Sequence, residues 1–231
     1  MTGLRPDGGA VVVATTIGAF RADYLINCAG LQADRVARMA GLTPPARIVP
    51  FRGEYYELRE DRRHLVQGLI YPVPDPQFPF LGVHLTRMID DSVHAGPNAV
   101  LAMAREGYSW GRINPMETLG TFAYKGFWKM AAKYWQTGMS EVYRSLSKKQ
   151  FTKALQRLVP EIREEDLLTG GAGVRAQAVE DTGKLVDDFR IVETKGAIHV
   201  LNAPSPGATA SLTISEGILE MAEKSFGLTA A

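Results

Sequence analysis

The stretch from residue 198 to residue 212 carries the residue types that most directly indicate binding chemistry. It reads Ile-His-Val-Leu-Asn-Ala-Pro-Ser-Pro-Gly-Ala-Thr-Ala-Ser-Leu, which predicts a short strand, a turn held by two prolines, and a helix over Ala208 to Ala222. Gly207 has no side chain, so a ligand could approach the backbone closely there. The first N–H groups of a helix lack internal partners and lie at the positive end of its dipole. We therefore expect this turn to bind an electron-rich carbonyl or a developing anion.

A second segment rich in small residues follows an apolar run near the start of the chain. Tyr24 to Asn27 predict a buried strand, and the loop Cys28 to Asp34 leads directly into a helix that continues through Met39. Small residues after a buried strand allow a ligand to lie against the backbone. A tight strand–helix turn without a ligand explains the same pattern, and the residues alone leave both interpretations open.

The elements around these two turns fall into three successive regions. Residues 1–27 predict a hairpin, with one strand at 10–15, followed by the buried strand. Residues 47–100 predict antiparallel strands, and residues 112–166 predict helices. Further β structure is then expected at 170–177, 189–192 and 198–201. The chain thus leaves a region of mixed strand and helix and later returns to one.

The composition indicates a globular protein and excludes several other classes. Of the 231 residues, 45% are apolar and 22% are charged, and the net charge of +1 gives no field that would select nucleic acid. The single cysteine, Cys28, excludes an internal disulfide and a cysteine-based zinc site, and no metal-ligand cluster is apparent. The aliphatic run at 10–14 is too short to span a membrane, and residues 1–9 show no signal region. We expect a cytoplasmic protein.

Basic residues form a stripe in the predicted helical region. Lys125, Lys129 and Lys133 are spaced four residues apart, and Trp128 and Trp135 lie among them. An ordinary solvated helix face explains this spacing. Contact with anionic lipid at the inner face of the cell membrane explains it as well.

Several strings along the chain resemble the D-amino-acid-oxidase-like FAD oxidoreductases, and more narrowly their bacterial L-2-hydroxyglutarate oxidase/dehydrogenase branch. The string at 24–34 is similar to the second flavin-contacting segment of that family. The other strings follow the family's order and cover essentially the whole chain, at 50–56, 70–76, 80–87, 96–102, 173–177 and 202–209.

The resemblance implies a fold of mixed α+β and α/β class. A truncated, Rossmann-like FAD-binding domain would be combined with a substrate domain built from an antiparallel sheet and helices. Residues 1–46 would form the middle part of the FAD-binding domain, residues 47–166 the substrate-binding domain, and residues 167–231 the C-terminal part of the FAD-binding domain.

One departure from the family pattern is large. Similar enzymes begin with a Gly-x-Gly-x-x-Gly loop that holds the ADP half of FAD, and this sequence contains no such fingerprint. The glycines at 170–173 do not fit its spacing. We therefore expect the chain to be the C-terminal portion of a longer enzyme. Whether this portion alone binds FAD is left open.

The resemblance places the flavin against the two small-residue turns. Ala29 and Gly30 would lie against the cofactor, and the second turn would face the isoalloxazine ring. A helix N-terminus near the ring would stabilise the negative charge of the reduced flavin. The predicted residues of the second turn are Ser205, Pro206, Gly207, Ala208 and Thr209.

Oxidation of a 2-hydroxy acid also needs a base for the hydroxyl proton and cations for the carboxylates. Among the four histidines, His84 is the preferred base because its pKa class suits proton transfer and the resemblance places it in the substrate-domain sheet. His94 is a weaker alternative. The guanidinium fork matches a carboxylate, so arginines are the preferred cations. The candidates for substrate binding are Arg52, Arg87 and Arg175, with neutral hydrogen bonds from Tyr56, Tyr71 and Asn98.

The resulting hypothesis is FAD-dependent oxidation of L-2-hydroxyglutarate to 2-oxoglutarate, with a quinone or O2 as the electron acceptor. One alternative is another oxidase of the same superfamily, acting on an amino acid or on glycerol phosphate. The other is a non-catalytic remnant that binds a membrane or a partner through its basic helical region.

Overall fold

The computed structural model describes residues 1–73 and 82–228. These residues form two compact units, one made of residues 1–48 and 176–231 and the other of residues 49–175. The sequence predicted domain limits after residues 46 and 166, and the functional assignment of each part stays a prediction. The predicted strings at 70–76 and 80–87 both extend into residues 74–81, which lie outside the described residues.

The helices and strands follow the order expected from the three regions of the sequence. In chain order they are β1 (Gly3–Asp7), β2 (Ala10–Thr15), β3 (Gly18–Ala22), β4 (Leu25–Asn27), α1 (Ala33–Met39), β5 (Ala46–Leu58), β6 (Leu69–Ile70), β7 (His84–Arg87), β8 (Val93–Gly96), β9 (Val100–Leu101), α2 (Pro115–Phe122), α3 (Lys125–Leu146), α4 (Lys148–Leu155), β10 (Leu167–Glu180), β11 (Arg190–Thr194), β12 (Ala197–Asn202) and α5 (Ser211–Phe226).

A small antiparallel sheet opens the first unit. Strands β1, β2 and β3 pair in that order, and the turn between β1 and β2 is made by Gly8 and Gly9, both with positive φ. The predicted hairpin is confirmed. It gains a first strand, β1, in which Pro6 and Asp7 pair with Val11 and Ala10 of β2.

A second sheet of the first unit combines the two segments that the sequence singled out. Its order is β11–β12–β4, with β12 antiparallel to β11 and parallel to β4. All six residues of β12 are buried. The prediction of a buried strand at 24–27 is wrong for Tyr24 and Ile26, which are 41% and 45% exposed. Strand β4 pairs with β12 alone among the described residues, so one of its edges is not covered by another strand.

The last helix begins later than the sequence predicted. It starts at Ser211 and not at Ala208, because residues 203–210 form a separate turn. In that turn the Ala210 N–H donates to the Pro206 carbonyl at 3.0 Å. The helix ends at Gly227, whose φ of 65° is the left-handed conformation typical of a helix C-terminus.

The second unit is built on a sheet whose order is β10–β5–β8–β7–β6, with β9 also paired to β5. Strands β5, β7 and β8 pair antiparallel, as do β6 with β7 and β9 with β5. The predicted antiparallel sheet with helices, and with it the α+β fold class, is confirmed. Gly96 at the end of β8 has a φ of 146°, and a Cβ there would lie 2.7 Å from the Glu54 carbonyl oxygen. Only glycine permits this close approach of β8 to β5.

The two faces of this sheet differ in their cover. On the face that we call the helix face, Leu58, Leu85 and Ala95 form a core with Phe151 of α4. The Tyr56 ring packs on Phe151 with a centroid distance of 4.8 Å. Because side chains alternate along a strand, their neighbours in sequence point to the opposite side.

We call that opposite side the histidine face, after the two histidines that it carries. His84 is in register with Gly96, and His94 is in register with Thr86 and Glu57. The Tyr55 ring lies 6.4 Å from the ring of His94. The face therefore carries aromatic and titratable side chains on the side opposite the core that Leu58, Leu85 and Ala95 form.

Helix α3 shows the faces that the lysine spacing predicted. Phe127 and Met130 are buried, whereas Lys125, Lys129 and Lys133 are exposed. The helix is interrupted at Tyr134, whose φ of −113° and ψ of 21° are not helical. Within the described parts of the chain, no helix has the length and apolar character needed to cross a bilayer.

Candidate functional site

A cleft of about 370 Å³ lies in the first unit, where the parallel strands β4 and β12 end. Ligands commonly bind at the carboxyl ends of parallel strands, and this volume is in the range of about 300–1,000 Å³ typical of small-molecule sites. Most of its lining is apolar or small. The lining residues are Cys28, Gly30, Ala176, Val200, Leu201, Asn202, Ala203, Gly207, Ser211, Ile214, Ser215 and Ile218.

The turn after β4 forms one wall of the cleft and exposes its backbone. Ala29 and Gly30 are both exposed, and Gly30 has a φ of 50°. A Cβ built on Gly30 would have no described atom within 4 Å. The turn is held from below, because the Ala29 N–H donates to Asn27 Oδ1 at 3.2 Å. Partial burial raises the pKa of the Cys28 thiol, so this cleft residue is a neutral thiol at pH 7.

The turn after β12 reaches the same cleft with one of its predicted residues. Gly207 lines the cleft together with Gly30, so the structure brings the two predicted glycines to one site. Ser205, Pro206, Ala208 and Thr209 do not line it and stay predictions as cofactor contacts. The sequence analysis missed Ser211 and Ser215, whose spacing of four on α5 places both hydroxyl-bearing residues on one helix face.

His84 and Tyr71 are the predicted substrate-site residues that the second unit brings into contact. Their rings stack with centroids 4.2 Å apart and an interplanar angle of 19°. His84 Nδ1 lies 3.1 Å from the Gly82 carbonyl oxygen. A carbonyl can only accept, so Nδ1 carries the proton and Nε2 presents a lone pair. Burial lowers the pKa of His84 and the Gly82 hydrogen bond opposes that shift, so the neutral imidazole is favoured.

Arg52 and Asn98 do not join His84 but meet at the carboxylate of Glu54. Arg52 is 2% exposed, and its Nε and Nη2 lie 3.2 and 3.1 Å from Glu54 Oε1. Asn98 Nδ2 donates to Oε2 at 2.8 Å, and Asn98 Oδ1 accepts from the Glu54 N–H at 2.7 Å. Ser145 of α3 also donates to Oε2, which places the Glu54 carboxylate on the helix face.

Trp110 closes the other side of this cluster. Its ring lies under the Arg52 guanidinium, with Cζ 4.2 Å from the ring centroid. Arg52 is therefore held between a carboxylate and an aromatic face, and Asn98 uses both ends of its carboxamide on Glu54. The structure thus gives Arg52 and Asn98 partners within the sheet, and the substrate contact predicted for them stays a prediction.

The other two predicted arginines differ from each other in exposure and partners. Arg87 Nη2 lies 2.9 Å from Asp91 Oδ1, and its Nη1 donates to the Val66 carbonyl at 3.3 Å. These contacts hold the Arg87 guanidinium against the β7–β8 turn and the Val66 carbonyl. Arg175 lies near the middle of β10 and is exposed. Of the three arginines, Arg175 is the most exposed, since Arg52 is buried and Arg87 is half-buried.

Glu54 is the central residue of this region that the sequence analysis missed. The signal was present as Arg52-Gly53-Glu54, because residues two apart on a strand share a face and opposite charges there attract. A Cβ on Gly53 would lie 2.6 Å from Pro97 Cβ, so the glycine lets the loop carrying Asn98 approach the strand.

Comparison with known proteins identifies the family. Residues 1–221 match the family described as FAD dependent oxidoreductase, and the chain belongs to this family. The predicted family resemblance is thereby confirmed.

Among individual relatives, the sequence is 56% identical over 218 residues to the L-2-hydroxyglutarate dehydrogenase of Indibacter alkaliphilus, covering 94% of this chain and 55% of that protein. It is 45% identical to the Escherichia coli K12 protein of that name, over 95% of this chain and 52% of that protein. The mitochondrial human protein of that name is 43% identical, over 94% of this chain and 48% of that protein. The chain thus spans about half the length of these relatives.

Solved structures support the fold at lower sequence identity. The L-alpha-glycerophosphate oxidase of Mycoplasma pneumoniae, solved with FAD bound, superimposes with a TM-score of 0.62 at 19% identity, over 92% of this chain and 47% of that one. The glycine oxidase of Geobacillus kaustophilus gives 0.55 at 16% identity, over 99% of this chain and 48% of that one. At these identities the comparison supports the fold only.

The residues around the cleft fit a flavin. Gly30 and Gly207 leave room against the backbone, and Val200, Leu201 and Ile214 provide apolar walls for a flat aromatic ring. Within the described residues, no group of three or more histidines, cysteines or carboxylates could hold a metal ion.

Proposed function

We propose that this chain forms part of an FAD-dependent oxidoreductase that converts L-2-hydroxyglutarate to 2-oxoglutarate. The observation that carries the proposal is the 43–56% identity, over nearly the whole chain, to three relatives that bear the name L-2-hydroxyglutarate dehydrogenase. The cleft of the first unit and the neutral histidine of the second supply the two kinds of group that such a reaction requires.

In this proposal the cleft holds the flavin between its two turns. Gly30 and the exposed Ala29 would contact one part of the cofactor, and Gly207 with the neighbouring turn residues would contact another. The flavin, when bound, supplies a two-electron acceptor for the hydride on C2 of the substrate. The beginning of α5, at Ser211, would place N–H dipoles where negative charge develops.

His84 would remove the proton of the substrate hydroxyl. Its Nδ1–H is engaged by the Gly82 carbonyl, so the lone pair on Nε2 is the group that can accept a proton. The O–H bond breaks as its proton passes to Nε2, the hydride leaves C2, and the C–O bond becomes a carbonyl. Stacking on Tyr71 fixes the plane of the imidazole. The balance is one proton and one hydride, which together are the two hydrogens lost by the substrate.

Arg175 is our choice for binding a substrate carboxylate. It is the exposed member of the three predicted arginines, whereas Arg52 is buried and Arg87 is half-buried. A guanidinium stays charged at any physiological pH and binds a carboxylate with two parallel hydrogen bonds. A dicarboxylate would need a second cation or several neutral donors.

The site in the cell and the final electron acceptor are further parts of the proposal. We propose a cytoplasmic location and a quinone or O2 as the acceptor. Exposed Trp128 and Trp135, together with Lys129 and Lys133, give α3 a surface that suits contact with anionic lipid and hence with a membrane quinone.

A flavin titration tests the proposal. The purified chain is mixed with FAD and separated from unbound cofactor. It is then titrated with L-2-hydroxyglutarate in the absence of oxygen, and the flavin absorbance at about 450 nm is recorded. Bleaching by the L isomer and not by the D isomer is the expected result. Bound flavin that no concentration of L-2-hydroxyglutarate reduces would contradict the substrate assignment.

The same flavin titration tests two other substrate classes. The structural neighbours include an L-alpha-glycerophosphate oxidase and a glycine oxidase, so glycerol 3-phosphate and amino acids form the comparison panel. Reduction by one of these, and not by L-2-hydroxyglutarate, would favour another oxidase of the family. Binding to anionic vesicles without flavin or turnover would favour the non-catalytic alternative.

A further inference from the structure

The parallel strands beneath the cleft contain a buried polar pair that the chemistry above does not use. Asn27 at the end of β4 is 3% exposed, and His199 in the middle of β12 is fully buried. The two residues are in register, and Asn27 Nδ2 lies 3.1 Å from His199 Nδ1. Their neighbours Ile198, Val200 and Leu201 are apolar, so an aliphatic residue would suit position 199 if only packing mattered.

The hydrogen bonds of Asn27 fix which end of its carboxamide is the donor. Oδ1 accepts the Ala29 N–H at 3.2 Å, and Nδ2 donates to the Ala33 carbonyl at 2.9 Å. Reversing the amide would direct NH2 at an N–H and oxygen at a carbonyl, which are two repulsive contacts. The orientation of Asn27 is therefore set by the backbone of the turn that it supports.

This orientation determines the state of His199. Because Asn27 Nδ2 is a donor, His199 Nδ1 must accept, and the imidazole is neutral with its proton on Nε2. Burial lowers the pKa of His199, in agreement with a neutral ring. The Nε2 atom is buried and has no hydrogen-bond partner among the described residues. A buried unpaired donor is unfavourable, so the buried ring depends on the hydrogen bond at Nδ1 for its polar stabilisation.

We propose that His199 is a positioning residue for the cofactor cleft, acting through Asn27 on the turn Cys28–Gly30. His199 Nδ1 accepts the second N–H of the carboxamide, which keeps Oδ1 directed at the Ala29 N–H. Ala29 in turn accepts the Gln32 N–H at 2.9 Å, which completes the turn that exposes Gly30 to the cleft. These contacts are the evidence that His199 positions the turn. That the turn contacts a flavin rests on the function proposed above.

The tautomer can be measured directly in the unmodified chain. A ¹⁵N-labelled sample gives ring nitrogen signals for each histidine, and we expect His199 to show a protonated Nε2 and an unprotonated Nδ1. A proton on Nδ1 would overturn the proposal, because Asn27 Nδ2 and Nδ1–H would then both be donors. This measurement needs no substitution and no cofactor.

Substitutions at position 199 test the effect on the turn. His199→Leu removes the acceptor, and we expect hydrogen exchange of the Ala29 amide to accelerate by about 5-fold, the equilibrium effect of one ordinary hydrogen bond. His199→Gln retains an acceptor and should restore most of the protection. His64→Leu is the control, since His64 is exposed and its Nδ1 contacts only the Asp61 carbonyl. Equal Ala29 exchange in His199→Leu and wild type would overturn the proposal.

The opposite change, at Asn27, provides an independent check. Asn27→Asp keeps the acceptor for Ala29 but removes the donor, so His199 must turn into a donor at Nδ1. We expect its ring signals to show a protonated Nδ1 at pH 7. Unchanged ring signals would contradict the proposed pairing, and this readout remains available if His199→Leu does not fold.

Flavin binding separates this inference from the proposed function. If both are correct, the dissociation constant for FAD rises about 5-fold in His199→Leu, returns toward wild type in His199→Gln, and is unaffected by His64→Leu. Absence of FAD binding by the wild-type chain would show that the residues of this chain are not sufficient to hold flavin. The ring signals and the Ala29 exchange would still decide the role of His199.

Discussion

The cleft of the first unit and the histidine face of the second prepare for binding by different means. In the cleft, the chain offers backbone, because Gly30 and Gly207 leave it uncovered and Asn27 keeps it in place. On the histidine face, the chain offers one ring atom, His84 Nε2, whose protonation state follows from a single hydrogen bond. A site built from backbone requires positions that carry no side chain. A site built from a side chain requires that the residue lie on the correct face of its strand.

The same contrast exists within the second unit. Arg52 and His84 were both predicted to contact substrate, yet Arg52 belongs to the Glu54 cluster that Ser145 of α3 joins, and His84 lies on the other side of the sheet. The difference teaches that residue type alone does not assign a role in a sheet. The partners on each face determine whether a charge supports the fold or is available for a ligand.

Removal of the proposed base should have the largest effect. His84→Gln is expected to lower kcat by about 10²- to 10⁴-fold, the usual contribution of general base catalysis, while the amount of flavin bound stays the same. Single-turnover reduction of the flavin measures the effect. A loss below about 3-fold would show that His84 is not the base, without bearing on the proposed flavin cleft.

The pH dependence of the wild-type reaction follows from the lowered pKa of His84. A base acts in its deprotonated form, and burial holds the pKa of His84 below the ordinary histidine value of about 6.5. The midpoint of the fall in reaction rate on acidification should therefore lie below about pH 6.5. A decline centred above pH 6.5, in a rate shown to be limited by chemistry, would indicate a different base.

Arg52 should affect stability and not chemistry, which tests the difference between the two faces. Arg52→Met leaves the partly buried Glu54 carboxylate without its cation, and we expect the free energy of unfolding to fall by about 2–4 kcal/mol. Urea denaturation measures this change. The matched control is Arg59→Met, which breaks the exposed ion pair with Asp61 and should cost under about 1 kcal/mol. A large rise in KM with unchanged stability would instead place Arg52 at the substrate.

Arg175 should show the reverse behaviour. Arg175→Leu is expected to raise KM for the dicarboxylate by about 10- to 100-fold, the value of a charged hydrogen-bonded contact, with little change in the denaturation midpoint. Arg175→Lys should recover part of the affinity, since it keeps the charge and loses the planar fork. Equal KM values in all three proteins would leave carboxylate binding to other residues.

Chemical labelling of Cys28 is the mildest test and reports on the cleft alone. The thiol lines the cleft and its pKa is raised by partial burial, so alkylation should be slow at pH 7 and accelerate toward higher pH as the thiolate forms. FAD at ten times its dissociation constant should slow alkylation by about 10-fold by occupying the cleft. Equal rates with and without bound FAD would place the cofactor elsewhere.

The sequence was sufficient for elements defined by local pattern. The loop at 28–34 predicted the start of α1, and alternating residues predicted the antiparallel sheet, because both signals depend on neighbours in the chain. The sequence prediction placed the start of α5 three residues too early. The spacing of apolar residues gives no information on the turn closed by the hydrogen bond from the Ala210 N–H to the Pro206 carbonyl.

Contacts between distant segments could not be read from the sequence. The burial of Ile26 depends on how many strands flank β4, and the pairing of His199 with Asn27 depends on the register of two strands 172 residues apart. The sorting of Arg52 and His84 onto two faces likewise required the pairing of β7 and β8 and the position of α3. A resemblance to a family supplied the residue types of the site but not their partners.

The alternation of side chains in β5 also bears on how this part of the chain can change in evolution. A substitution at one position alters one face only. Insertion or deletion of a single residue near residue 51 would move every later residue of β5 to the opposite face of the sheet. Tyr55 and Glu57 would then point into the core, and Leu58 would point away from it. Length variation among homologous chains should accordingly be confined to the connections between strands, and engineered insertions should be placed there.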